Sequence, residues 1–343
     1  MQLTWRMGEW PWLPEDHPFP RLRVIVDNDF AGDPDALYQI VHHLLSPSVD
    51  IRGIVCSHLY AHDRFYERDD SADESRRVVT RLANTMGLDI EHRLFAGSNV
   101  GLESHSTPQY SGAAQFIISE AMRETDVPLY VACGGGLTDL ASAYLMEPRI
   151  ADRMTVIWIG GPEHEGLGNP PPWASRPEYN LGIDQVAAQV VVNRSTIPVW
   201  FVPRNAYRQC LVSDVELRHR VASKGMVGRA LYDSIRVVRH RTEAGRRCGE
   251  TYTLGDSPLV LLTALQSFFQ PDPASSEYVL TPCPTIDPLG SFIPNPSGRL
   301  VRVYTRLDTR LMFEDFFIKL DEFATWLSGI TSPPVGTRIG TAL

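Results

Sequence analysis

Three textures alternate along the chain: short β-branched apolar runs, turn-forming residues, and stretches whose apolar positions recur at helical spacing. Residues 23–26 (Arg-Val-Ile-Val) form the first run, Gly32-Asp33-Pro34 a turn, and residues 35–45 a helix that stops before Ser46-Pro47. Residues 50–56 then predict a second strand, which completes a βαβ unit. A helix over 75–86 leads to a third strand and turn within 89–98. Residues 127–141 repeat strand, glycine turn and helix. Further buried strands are predicted at 154–161 and 198–203, helices at 183–191, 214–240 and 308–328, and a terminal hairpin from 278–280 and 299–304. Strands alternating with helices predict an α/β fold with a largely parallel, Rossmann-like central sheet flanked by helices. Its ligands belong at the rim formed by the carboxyl ends of the strands. Residues 1–20, with Pro11, Pro14 and Pro18, read as an irregular arm packed on a single domain over 21–343. The aromatic face of the last helix (Phe313, Phe316, Phe317, Phe323, Trp326) reads as core.

The first strand stops on four carboxylates, Asp27, Asp29, Asp33 and Asp35. Like charges this close repel unless a cation or raised pKa values relieve them. A solvated acidic turn with capping Asp residues is the plain alternative, but its position at the end of a strand favours a ligand site. A hard divalent cation held by oxygen ligands accounts for the cluster. An EF-hand loop fails at Ala31 and Tyr38, which stand at its ligand positions 5 and 12. A phosphotransferase Asp-x-Asp loop, with Asp27 as nucleophile, meets Ala31 at its fifth position and lacks a clear set of basic residues for phosphate. His42 and His43 are adjacent on a helix and face about 100° apart, so they are expected to be structural.

Composition narrows the class. The 343 residues are 43% hydrophobic, enough for a large core, and the 32 basic against 41 acidic residues leave a net charge of −9. With no basic stripe, nucleic acid is disfavoured as a partner. The five cysteines show no CxxC spacing, which argues against zinc and a disulfide framework. No apolar leader core and no run of eighteen apolar residues is present, so a soluble cytoplasmic protein without a membrane partner is expected.

Four motifs in order carry a resemblance. Asp27-Asn28-Asp29-Phe30-Ala31-Gly32-Asp33-Pro34-Asp35-Ala36 resembles the amino-terminal fingerprint of the nucleoside hydrolases, Asp-x-Asp-Pro-Gly-x-Asp-Asp-Ala. It departs by Phe30-Ala31 where that family has one Pro, and by Pro34 between the last two carboxylates. Gly135-Gly136-Leu137-Thr138 is similar to the family's Gly-Gly-Leu-Thr-Asn. The segment from Gly160-Gly161 through Asn169 to Glu178-Tyr179-Asn180 matches its Gly-Gly, Asn and Glu-x-Asn positions. Gly255-Asp256-Ser257-Pro258 resembles its His-Asp-Pro, with Gly255 where the His would be.

The resemblance implies a nucleoside hydrolase-like α/β domain. It implies a metal-dependent hydrolase of purine or pyrimidine salvage, cleaving the N-glycosidic bond of a ribonucleoside or related N-riboside to free base and ribose. The implied cofactor is Ca2+, held by Asp29, Asp35, Asp256 and the carbonyl of Gly134, with Cys133 as the alternative carbonyl and Asp33 as the alternative to Asp35. Asp29 would be the general base, oriented by Asp27. Asp33 and Asn180 would hold the sugar's 2′ and 3′ hydroxyls, Asn169 and Glu178 its 5′ end, and Trp173 the base. A homodimer or homotetramer is expected. His240 is the candidate for the leaving-group acid that Gly255 cannot supply, followed by Tyr252, His58 and Trp173. The competing class is a calcium-dependent nucleoside or sugar sensor that kept the grip and lost the acid.

Overall fold

The computed structural model describes residues 3–172, 174–241, 249–266 and 275–329. Its frame is an eight-stranded sheet. In chain order the strands are β1 (Leu22–Asn28), β2 (Val49–Cys56), β3 (Leu94–Ala96), β4 (Leu129–Cys133), β5 (Thr155–Ile159), β6 (Val199–Val202), β7 (Glu277–Pro282) and β8 (Leu300–Arg306). Across the sheet the order is β7-β8-β6-β5-β4-β1-β2-β3. All neighbours are parallel except β7 and β8, so the sheet is largely parallel, as the alternation predicts. The order reverses between β1 and β4. At such a switch point the connections leave in opposite directions and open a crevice beyond the strand ends.

The β-branched runs form these strands because both faces of the sheet are covered by helices. Successive side chains of β1 enter different cores: Val24 and Val26 join one apolar cluster and Ile25 the other. β5 alternates likewise, with Ile157 in the first cluster and Val156 and Trp158 in the second. Burying each such side chain contributes about 1.5–3 kcal/mol.

The structure differs from the sequence reading in several places. Residues 183–191 do not form one helix: Tyr179–Ile183 and Gln185–Gln189 are separate, because the Asp184 carboxylate caps the second by accepting from the Ala187 amide. Within 214–240, the helix Gly225–Arg241 follows a wide turn over Leu217–Ala222. The third strand shrinks to Leu94–Ala96, while Leu88–Asp89 pairs with Trp5–Arg6 of the arm. That arm is anchored: the Trp5 indole donates to the Met86 carbonyl at 2.8 Å, and Trp12 packs edge-on against Phe323 of the last helix, Thr309–Leu327. The terminal hairpin is present and extends the main sheet through β8. His42 and His43 are buried away from the rim, His42 on Asp315 at 2.7 Å and His43 on Thr263 at 2.9 Å.

Candidate active site

Beyond the carboxyl ends of β1, β4 and β5 lies an open cleft of about 190 Å³. Seven residues singled out by the sequence line it: Asp29, Asp33, Asp35, Gly134, Glu178, Asn180 and Asp256. They come from segments up to 227 positions apart, and the switch point is what gathers them.

Asn28 organises the acidic turn. Its amide nitrogen donates to Asp256 at 3.0 Å and to Gln39 at 3.3 Å, and its carbonyl oxygen accepts from the Asp29 amide at 2.8 Å. Burial raises the Asp29 carboxyl well above the usual range, and the charges of Asp256, Asp63 and Asp33 add to the effect. Asp35 is raised by burial, then by Asp256, Asp33 and Asp29. Asp256 is pushed up to about 7 by burial, opposed by the Asn28 hydrogen bond and reinforced by Asp33 and Glu178. Burial also raises Asp33, but the Tyr252 hydroxyl donates to it at 2.8 Å and the Arg64 charge lies near it. Asp27 lies beneath, bonded to the Ser57 hydroxyl with its other oxygen unpartnered among the described residues, and is raised by burial and by Asp139.

Opposite the carboxylates, Glu178 caps the helix Tyr179–Ile183. One of its oxygens accepts from the Gly161 and Leu181 amides at 2.8 and 3.1 Å, the other from the Tyr207 hydroxyl at 2.8 Å. Asn180 donates to the Gly134 and Ile159 carbonyls at 2.8 and 2.7 Å, which leaves its own carbonyl oxygen to accept from a ligand. The glycine triplet is a clearance. A β-carbon at 134 would meet Asn28 Nδ2 at 2.3 Å, and one at 136 would meet Ile183 Cγ2 at 2.7 Å.

The remaining candidates lie elsewhere. Asn169 is exposed and does not line the cleft. His240 is exposed near the end of Gly225–Arg241, also off the cleft wall. Both ring nitrogens of buried His58 are engaged, with the Leu59 carbonyl at 2.7 Å and Thr138 at 2.8 Å. Trp173 lies outside the described residues, as do residues 242–248 after His240. Cys133 is buried at the end of β4, while Gly134 reaches the cleft.

Arg64, Phe65, Tyr179 and Tyr207 line the cleft without having been singled out. Arg64 ends the polar stretch of residues 57–64 that follows β2, and Tyr179 sits between two motif residues, so both positions carried a signal. Tyr207 follows β6 in a short helix, Arg204–Tyr207, with nothing to mark it.

A resident cation can be tested against these donors. Three carboxylates, each raised by burial and by neighbouring acids, and a main-chain carbonyl in one cleft are the oxygen chemistry a hard divalent ion takes. The fit is one of donor chemistry: among the described residues no three His, Cys, Asp or Glu side chains converge at ligand spacing.

A family model described as inosine-uridine preferring nucleoside hydrolase matches residues 24–285. The inosine-uridine preferring nucleoside hydrolase of Leishmania major is 38% identical over 84 residues, 24% of this chain and 25% of that protein. The pyrimidine-specific ribonucleoside hydrolase RihA of Salmonella schwarzengrund is 26% identical over 198 residues, 52% of this chain and 58% of that protein. The matched stretches thus span between about a quarter and under two thirds of these relatives. The solved purine-preferring ribonucleoside hydrolase from Gardnerella vaginalis superposes with a TM-score of 0.70 over 89% of this chain and 99% of that one, at 17% identity, a likeness of fold.

Proposed function

The chain belongs to the inosine-uridine preferring nucleoside hydrolase family, a family of metal-dependent hydrolases, and we propose that it hydrolyses the N-glycosidic bond of a ribonucleoside or related N-riboside. The observation that carries the reading is the convergence of Asp29, Asp33, Asp35, Gly134, Glu178, Asn180 and Asp256 on one cleft.

Asp29 takes the proton of the attacking water. Its raised affinity for protons suits a base working near neutral pH. Asn28 orients it through the backbone. The sugar becomes cationic as the bond to the base breaks, and the surrounding carboxylates stabilise that charge. Asn180, with both amide hydrogens spent on carbonyls, presents an acceptor to a sugar hydroxyl. Glu178, held by two amides and Tyr207, is rigid enough to orient the 5′ end.

A divalent cation held by Asp29, Asp35, Asp256 and the Gly134 carbonyl would supply an acidified water and offset part of the carboxylate repulsion. Asp35 is preferred to Asp33 here because Asp256 is the strongest charge acting on both Asp35 and Asp29, whereas Asp33 is engaged by Tyr252. Calcium is the proposed ion on the all-oxygen donor set. Homo-oligomeric assembly and a cytoplasmic role in base salvage are proposed on the family resemblance; among the described residues no helix is long and apolar enough to cross a membrane.

The test is release of reducing sugar from a nucleoside panel, together with metal content of the purified protein. Turnover that is lost with chelator and restored by calcium supports the reading. Metal-loaded protein that binds nucleosides without releasing ribose would replace it with the sensor.

A further inference from the structure

Resting on the N-riboside hydrolase reading, we propose that Arg64 stabilises the departing base as an anion, so that the substrates are ribosides of acidic heterocycles, those whose glycosidic nitrogen leaves readily without a proton.

Three observations converge on Arg64. First, no proton donor stands where the sequence motif would place one: position 255 is glycine, and a β-carbon there would lie 3.2 Å from Asp35 Oδ2 and 3.4 Å from the Tyr207 ring. The other histidines considered do not replace it, since His58 has both nitrogens engaged and His240 lies off the cleft. The Tyr207 and Tyr252 hydroxyls are committed to Glu178 and Asp33. Second, Arg64 is the one cationic side chain among the described residues lining this cleft. Third, its guanidinium makes no hydrogen bond or ion pair among the described residues, although it is surrounded by acids. Asp63, its neighbour, is bonded to the Phe65 amide and the Tyr179 hydroxyl, both at 2.8 Å. The guanidinium carbon instead stands 4.8 Å from the Phe65 ring centre and 5.7 Å from that of Tyr179. An unpaired cation beside two aromatic faces suits a flat ring that carries or develops negative charge.

Arginine does not give up its proton near neutral pH, so it acts by charge and hydrogen bonding and not as an acid. The C1′–N bond breaks with both electrons moving to nitrogen. The water oxygen bonds to C1′ and its proton goes to Asp29. The base anion, paired with Arg64, takes its proton from solvent after release. A 5′-phosphate is a less suitable target for Arg64, because Glu178 and four aspartates share the cleft and would repel it.

The test compares wild type, Arg64→Lys and Arg64→Met on uridine, adenosine, uridine 5′-monophosphate and p-nitrophenyl riboside. Arg64 is exposed, so folding should survive either change. Uridine and the nitrophenyl riboside should be turned over much faster than adenosine. Arg64→Met should lower their kcat by about 10²–10³-fold, the usual size of losing one preorganised donor to a developing anion, while Arg64→Lys recovers part of it. The kcat profile should show an ascending limb from base ionisation and no descending limb below about pH 10, because no acid titrates. Three results overturn the proposal while leaving the hydrolase reading intact: unchanged kcat in Arg64→Met, faster adenosine than uridine turnover, or an Arg64-dependent preference for the monophosphate. Failure of the wild type on all four substrates would sink both.

Discussion

Asp256 offers a measurable consequence of gathering acids at one strand end. The residue is 3% exposed, and burial pushes its carboxyl up to about 7 against an ordinary 3.8. The folded protein therefore binds this proton more tightly than the unfolded chain does. The associated stability is fully present below pH 3.8 and is lost as pH rises through about 7. A gap of roughly three pH units is worth about 4 kcal/mol at 1.36 kcal/mol per unit. Asp256→Asn keeps an acceptor for Asn28 Nδ2 and removes the titration. With chelator present, urea unfolding from pH 4 to 8.5 should show the variant gaining on wild type by up to about 4 kcal/mol, most of it between pH 4 and 7. Calcium at about a hundredfold excess over its dissociation constant should then stabilise wild type by about 2.7 kcal/mol and the variant by much less. Parallel stability curves in chelator, or equal stabilisation of both proteins by calcium, would refute the electrostatic account of this site.

Further outcomes follow from neighbouring groups. Asp29→Asn should lower kcat on the best riboside by a hundredfold or more in protein that still folds, and unchanged turnover would remove Asp29 from the mechanism. Gly255→His should fold, because its β-carbon meets Asp35 and Tyr207 at distances that a small shift relieves; it should raise adenosine turnover by tenfold or more, whereas a rate unchanged in folded protein would show that the added imidazole does not reach the leaving base. Burial holds His42 at about 4 and His43 at about 3, so the unfolded chain gains protons first as pH falls below 6.5. Stability should fall from pH 6.5 toward 4, opposing the Asp256 trend, and His43→Asn should flatten that limb in urea titrations.

Much of this architecture was readable because it follows from periodicity. Residues 23–26, 50–56 and 154–161 read as buried strands, and their alternation with helices left few topologies. The acidic turn was readable as a candidate site from its four carboxylates together with their position at the carboxyl end of a strand. Glu178 and Asn180 were identified through motif order. Their hydrogen bonds were not foreseen: Glu178 also caps a helix that the periodicity placed further along, and Asn180 ties β4 to β5 through two carbonyls. Position 240 illustrates the opposite limit. Proximity to Asp256 in sequence suggested an acid, yet the helix Gly225–Arg241 leaves His240 exposed and off the cleft wall. Arg64 and Tyr207 owe their places on the cleft wall to the path of the chain beyond β2 and β6, which a periodic pattern does not encode.

The glycine triplet shows how the fold bears the cost of the acidic turn. Alone, Gly134-Gly135-Gly136 suggests a loop for phosphate, which would call for positive surroundings. Instead its missing β-carbons make room for Asn28, Asp29 and Ile183. Asn28 is completely buried, fills the space beside Gly134, and from there reaches Asp256 across 228 positions of sequence. The Gly134 amide in turn donates to the Asp27 carbonyl at 2.8 Å, so β1 and β4 are clamped where the carboxylates begin. A side chain at 134 would push Asn28 aside, release Asp256 from its donor and let the acids separate. The repulsion that makes the site useful to a cation is therefore held by backbone packing at the switch point, where three glycines have no side chain to offer chemistry themselves.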